Sequence, residues 1–369
     1  MMAQAFEIVS RKRPFPLDVA RIADFTLGEG EAVDPQSILE NDNITLYTLD
    51  FDGEQAVFVE TPPELNLSNA PFYYVAQFEQ AIRVLTLPFA KMIQLAESIV
   101  VDGKRLVLIH SVGRAGSTLA SQLFAHVDGV INLSEPDALS ILVRARHEWP
   151  DQDPLLRKLF DATVRLLCKV SAERAWVIKG RSYGIELGEW FFHQYPQAKT
   201  LFLDREIESW LVSCLRAYDD GVERSEKELL AYQSFIREFV KPVTPLIAEY
   251  DPNQHLSFVG ILSLVWLSVM RKVNQLQALG ADMMIIPYEN WRDEGRETAV
   301  AMLKFCHCLP KNFEMVDEVL AQDSQAGTFL AQDALQGNSF LLETVDISEY
   351  KMYLQKYQDL IETERRSNQ

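Results

Sequence analysis

Arg105-Leu106-Val107-Leu108-Ile109-His110-Ser111-Val112-Gly113-Arg114-Ala115-Gly116-Ser117-Thr118 reads as an apolar strand running into a Gly-x-x-Gly-Ser-Thr turn. An amphipathic segment, Leu119 to His126, follows directly. Strand, glycine-rich turn and helix is the order that aims backbone N–H groups and the positive end of a helix at a phosphate or sulfate. The turn departs from the Walker A pattern G-x-x-x-x-G-K-[ST] at one place: Ser117 stands where that pattern has its lysine. Arg114 is the one cation inside the loop. The stretch predicts an anion site made by Gly113, Arg114, Ala115, Gly116, Ser117 and Thr118, and it argues against the phosphate grip of an ATPase or GTPase.

Outward from this turn the chain alternates. Strands are expected at 105–110, 129–133, 175–179, 199–204 and 282–287, and helical patterns at 118–126, 154–171, 184–194, 206–218, 225–249 and 256–279. That alternation predicts an α/β fold, a three-layer P-loop-type parallel sheet flanked by helices on both faces. Ligands of such sheets sit beyond the carboxyl ends of the strands. Residues 1–100 read differently. Ile44 to Phe51 and Gln55 to Glu60 form a hairpin about the turn Asp52-Gly53, ended by Pro62-Pro63. Tyr73 to Ala96 has a helical period with a kink expected at Pro88. The expected organisation is an N-terminal α+β extension over 1–100, a candidate substrate cap, and a P-loop-type domain over 101–369. The aromatic cluster Phe72, Tyr73, Tyr74 and Phe78 fits either an apolar pocket or a plain core helix.

Composition narrows the function classes. With 369 residues, 48% hydrophobic and 10% aromatic, the chain can bury a sizeable core, so global disorder is excluded. A net charge of -18 repels nucleic acid and anionic membrane surfaces. Four cysteines are too few and too unevenly spaced for a disulfide scaffold. Cys306-His307-Cys308 lacks a second cluster to complete a metal site, so no metal is expected. The N-terminus has Arg11, Lys12 and Arg13 but no apolar core of a secretory signal. The run Leu256 to Met270 is interrupted by Ser257, Ser263 and Ser268, which suits a core helix better than a membrane span. A cytoplasmic location is the expectation.

The positions after the expected strands form a set: Arg114 to Thr118, Glu135, Lys179 with Arg181, and Arg205. They are cations and N–H donors plus one carboxylate, a site for a multiply anionic ligand with a general base. Here the chain resembles the sulfotransferase family that uses 3'-phosphoadenosine 5'-phosphosulfate. Ser111-Val112-Gly113-Arg114-Ala115-Gly116-Ser117-Thr118 is similar to its 5'-phosphosulfate loop, with Ala115 in place of the usual Ser. Leu201-Phe202-Leu203-Asp204-Arg205, with Ser213 two turns into the next helix, resembles its 3'-phosphate site. Met284-Ile285-Ile286-Pro287-Tyr288-Glu289-Asn290-Trp291 resembles its late strand followed by Tyr-Glu-Asp-Leu, with Trp266 on the helix before it. The likeness covers roughly residues 105–310.

The resemblance implies roles. Arg114 and the loop would hold the phosphosulfate, Arg205 and Ser213 the 3'-phosphate, and Lys179 the leaving oxygen. Glu135, in Leu133-Ser134-Glu135-Pro136-Asp137, would be the base, as in the tyrosylprotein and bacterial-type branch. Asp137 and His110 compete for that part. The cytosolic branch has a catalytic His two residues after its Lys, where this chain has Arg181. The family's closing Arg-Lys-Gly-x-x-Gly segment is missing, and Asp323 to Thr328 is the candidate replacement. The implied partners are the nucleotide donor and an acceptor carrying a hydroxyl or amine. Small-metabolite, lipid, polysaccharide and protein acceptors all fit the sequence, as does any oligomeric state. Two other readings stand: a P-loop kinase or nucleotide hydrolase, which lacks the Walker Lys, and a non-catalytic nucleotide-binding relative.

Overall fold

Alternate residues of the strand before the glycine-rich turn face different cores, the period of two that pleating imposes. Leu106 and Leu108 pack with Trp176, Ile178 and the helices Asp137–Glu148 and Asp153–Leu167. Val107 and Ile109 pack with Val177 and the helices Ser117–Ala125, Ile207–Tyr218 and Phe258–Ala278. A strand buried on both faces belongs in the middle of a parallel sheet.

The computed structural model describes residues 2–13, 15, 18–169, 174–219, 222–250, 256–326, 328 and 340–367. The strands are β1 Ala3–Arg11, β2 Phe25–Val33, β3 Ile44–Asp50, β4 Gln55–Glu60, β5 Arg83–Pro88, β6 Leu106–Ser111, β7 Val130–Ser134, β8 Ala175–Lys179, β9 Lys199–Asp204 and β10 Met283–Pro287. The last five make one sheet in the order β10-β9-β6-β8-β7, every neighbouring pair parallel. The chain leaves β6 for β7, returns through β8, then crosses to β9 and β10 on the other side. The order therefore switches beside β6, where a crevice for ligand opens at the strand ends. This is the α/β fold with a helix-flanked parallel sheet that the alternation predicts, with each strand displaced by a residue at most.

The helical expectations need three corrections. Residues 225–249 are broken: Glu226–Val240 is followed by a 3-10 turn, Lys241–Val243, and the short helix Pro245–Ala248, because Pro242 and Pro245 cannot donate to a continuous helix. Residues 73–96 are not a kinked helix. They are the helix Tyr73–Gln80, the strand β5 and the helix Phe89–Ala96. Val84 to Leu87 are buried on both faces, and Pro88 closes the strand and caps the next helix. The third is the helix Asp137–Glu148, which sequence reading passed over because Pro136 reads as a turn; it is instead the N-cap.

The extension is a second sheet, antiparallel throughout, in the order β2-β1-β5-β4-β3. The β3–β4 hairpin is the expected one. One face of this sheet shares its core with the helices Asp137–Glu148 and Asp153–Leu167. Those helices thus lie between two sheets. The opposite face buries Phe25, Tyr47, Val57, Val59 and Val84 in a smaller cluster. Cys306 and Cys308 are buried in the apolar core, and among the described residues no group of His, Cys, Asp and Glu is placed to hold a metal. The run Leu256 to Met270 lies in the buried helix Phe258–Ala278, and among the described residues no helix is long and apolar enough to cross a membrane.

Candidate active site

The turn after β6 bends through left-handed backbone at Gly113 (φ 79°), Arg114 (φ 50°) and Gly116 (φ 81°). A Cβ on Gly116 would lie 2.6 Å from the Trp291 ring, so this position excludes other residues by both conformation and space. Trp210 Nε1 donates to the carbonyls of Val112 (3.1 Å) and Gly113 (3.0 Å), fixing the loop to the helix Ile207–Tyr218. The first-turn N–H groups of the helix Ser117–Ala125 have no helical acceptor and stand at its positive end.

Two arginines brace this loop. Arg114 Nε donates to Ser213 Oγ (3.3 Å) and its Nη1 to Gln325 Oε1 (3.1 Å). Gln325 Nε2 in turn donates to Thr118 Oγ1 (3.5 Å), so Gln325 lies against the loop; Gly327 of the candidate closing segment is outside the described residues. Arg205 Nη1 donates to the Arg114 carbonyl (2.7 Å) and Nε to Ser209 Oγ (3.1 Å), while its guanidinium sits 4.2 Å from the Tyr288 ring centroid. Trp266 Nε1 donates to the Arg205 carbonyl (3.1 Å). Partial burial lowers the Arg205 pKa from its usual value. Arg205 and Ser213 are therefore brought to the same loop, but Ser213 is bound by Arg114 and Ser209 by Arg205.

Glu135 follows β7 in left-handed backbone (φ 61°), and its N–H donates to the Lys179 carbonyl at 2.6 Å. The Lys179 ammonium donates to Glu135 Oε1, and it lies 5.6 Å from the centroid of the Phe72 ring. Glu135 Oε2 stands 4.0 Å from Arg181 Nε. Asp137, two residues on, is committed elsewhere. Its Oδ1 accepts from Arg181 Nε and its Oδ2 from Arg181 Nη2, both at 2.9 Å. Oδ2 also takes the Ala20 N–H (2.9 Å) and Arg13 Nη2 (3.3 Å). Burial pushes the Asp137 carboxyl above its ordinary pKa, against the pull of Arg181 and Arg13. The Tyr74 ring stacks under both guanidiniums, 4.2 Å from Arg181 and 4.7 Å from Arg13. The Asp137 side chain is 0% exposed and that of Glu135 15%, so of the two carboxylates Glu135 is the one a ligand can reach.

His110 is also set aside by geometry. Its ring is buried, neither nitrogen has a partner among the described residues, and burial lowers its pKa to about 4. It borders two small voids of about 20 Å³ each and does not line the main cavity. That cavity, about 460 Å³, runs from Gly113, Arg114, Ser117 and Thr118 past Glu135 and Lys179 into an apolar end. Arg205 and Ser213 do not line it. In a chain of charge -18, Arg114, Lys179 and Arg181 all line this one cavity, the last two beside the carboxylates Glu135 and Asp137.

Sequence reading missed Ser209, one helical turn before Ser213 and equally able to meet a strand-end arginine. It missed the Asp137 knot as well, since Arg13 lies 124 residues from its partner and no local pattern joins them.

No family model matches the chain, and no curated protein matches it. Among solved structures it is similar to the sulfotransferase STF1 of Mycobacterium tuberculosis, with 12% identity over 63% of this chain and 80% of that one and a TM-score of 0.40. A sulfotransferase from Alicyclobacillus acidocaldarius matches at 16% identity over 66% and 98%, TM-score 0.38. The sulfotransferase domain of the curacin biosynthetic pathway matches at 16% over 66% and 87%, TM-score 0.37. Overlaps this slight carry no weight for activity, which has to be argued from the chain's own residues.

Proposed function

We propose that the protein is a sulfotransferase that moves a sulfuryl group from 3'-phosphoadenosine 5'-phosphosulfate to the hydroxyl or amine of an acceptor. The observation that carries this reading is a single cavity holding the Gly113–Thr118 loop, Arg114, Lys179 and the reachable carboxylate Glu135. An ATP-type site needs a lysine in the loop; this one has Ser117.

Arg114, the loop amides, Ser117 and Thr118 bind the phosphosulfate. Arg205, with Ser209 and Ser213 beside it, takes the 3'-phosphate as a rigid donor fork flanked by hydroxyls. Glu135 accepts the acceptor's proton as its oxygen bonds to sulfur. The bond from sulfur to the bridging oxygen breaks, and that oxygen keeps the electron pair as part of the leaving 5'-phosphate. Lys179, which rests on Glu135, exchanges the carboxylate for that oxygen and steadies its charge. Positioning and electrostatics supply most of the rate, and the arrangement asks for no metal. Residues 1–100 act as the cap on the acceptor side, since Asp18, Val19, Arg21 and Phe72 line the cavity. Four free cysteines fit a reducing, cytoplasmic setting.

The test is a thermal-shift comparison of adenosine 3',5'-bisphosphate with ADP and ATP, without magnesium. A ligand at 100 Kd adds about 2.7 kcal/mol of stability. The expected result is a shift with the 3'-phosphorylated nucleotide alone, abolished in Arg205→Ala. A larger shift with ATP and magnesium, or none with any nucleotide, would overturn the reading.

A further inference from the structure

Beyond Glu135 the cavity changes character. Its far end is walled by Tyr218, Phe239, Val243, Leu262 and Val265, drawn from three helices and the 3-10 turn Lys241–Val243. Of the hydroxyls there, Ser268 Oγ already accepts the Leu246 N–H at 3.3 Å. The charged side chains at this end each have a neighbour of opposite sign. Arg21 pairs with Asp18 (2.6 Å), Arg144 with Glu148 (2.7 Å), Glu186 with Lys272 (3.5 Å) and Glu238 with Lys241 (3.9 Å). At the mouth, the Phe15 ring meets Phe235 and Phe239 edge-on at 5.6 and 5.1 Å, and Phe235 is 48% exposed.

From this we infer that the acceptor is an uncharged hydroxyl compound with an apolar body, an alcohol or phenol whose oxygen reaches Glu135 while its carbon skeleton fills the far end. The assignment rests on the sulfotransferase reading of the same cavity. A sugar would bring a ring of hydroxyls to a wall of aliphatic and aromatic carbon and leave them unpaired, at about 1–3 kcal/mol for each buried group. An amine arrives as an ammonium, and the carboxylates at the far end already face cations. The hydroxyl proton goes to Glu135, the oxygen–sulfur bond forms, and the nucleotide leaves with the electron pair of the broken bond. Phe235 and Phe239 offer an apolar molecule a way in from solvent.

The probe is 2-naphthol, its binding to the full chain followed by its own fluorescence, with and without adenosine 3',5'-bisphosphate. Wild type is expected to bind it. Val265→Phe, which fills the far end, should weaken that binding roughly 10- to 100-fold while leaving the nucleotide's thermal shift unchanged. Should Val265→Phe fail to fold, Phe239→Ala, on a half-exposed helix, serves with the same readouts. With sulfur-labelled donor, label should pass to 2-naphthol and 1-decanol and not to glucose or a tyrosine-containing peptide. If the nucleotide binds but 2-naphthol does not, or binds with no response to either variant, the acceptor class is wrong and the donor reading stands. Label passing preferentially to glucose or the peptide overturns it equally. If 2-naphthol binds and no nucleotide does, the donor reading falls and takes the acceptor role with it.

Discussion

The two sheets divide the labour unequally. In the parallel sheet, β6, β7, β8 and β9 each run out into a candidate site residue: Arg114, Glu135, Lys179 and Arg205. The strands of the antiparallel sheet carry none. What that half contributes comes from between its strands, where Arg13, the Ala20 N–H and Tyr74 converge on Asp137 and Arg181. A parallel sheet makes a site because its carboxyl ends all point one way. An antiparallel sheet has no such end, and this one takes part through the segments between its strands, which line the cavity at Asp18, Val19, Arg21 and Phe72 and build the buried ionic knot. Asp137→Ala breaks the knot and leaves Arg181 and Arg13 only the more distant carboxylates of Glu135 (4.0 Å) and Asp24 (3.9 Å). The expected loss is about 3–5 kcal/mol of unfolding free energy by denaturant titration. Asp137→Asn, which still accepts the Ala20 N–H, should lose less. A loss under about 1 kcal/mol in the alanine variant would mean that the two halves are not keyed together there.

Acid should separate the halves too. All six histidines lie outside residues 1–100, and His110 sits in the central strand with its pKa lowered to about 4 by burial. Its imidazole is neutral in the folded chain, whereas the unfolded chain takes up a proton near 6.5. Stability from this group is thus full above pH 6.5 and is lost as pH falls, until the folded imidazole is protonated near pH 4. The gap corresponds to about 3 kcal/mol. His110→Leu should flatten that part of the stability profile while changing little at pH 8. An unchanged slope would place the acid sensitivity in carboxylates instead.

How much of this was legible in the sequence follows the same division. The turn after β6, the strands of the parallel sheet and the strand-end residues are written locally: each is a short apolar run followed within a few positions by the residue it delivers. β5 was hidden because its partner β1 is remote and carries no strand signal that was read, and because Tyr73 to Ala96 carries a helical period into which a buried strand fits unnoticed. Glu135 was readable as a carboxylate after a strand. Its separation from Asp137 was not, since only the fold shows which of the two meets Arg181 on both oxygens. The same holds for Ser209 and Ser213, one turn apart on a single helix face, where the choice of arginine depends on the loop's path.

The smallest effect tests how the parallel sheet holds its base. Glu135 has φ 61°, a conformation that costs a residue with a Cβ about 1–2 kcal/mol. The neighbouring structure imposes it: the Glu135 N–H must reach the Lys179 carbonyl, and the side chain must turn back to the Lys179 ammonium. Glu135→Ala and Glu135→Gly lose the carboxylate alike, so both should be inactive and both leave Lys179 without its partner. They differ in the backbone alone. At an ordinary position glycine is the less stable of the two by roughly 0.5–1 kcal/mol, because it loses more freedom on folding. Here the order should invert, with the glycine variant the more stable by about 1 kcal/mol in denaturant titration. Alanine proving the more stable would show that the backbone relaxes once the carboxylate is gone. The strain would then be held by the Glu135–Lys179 contact and not by the strand ends.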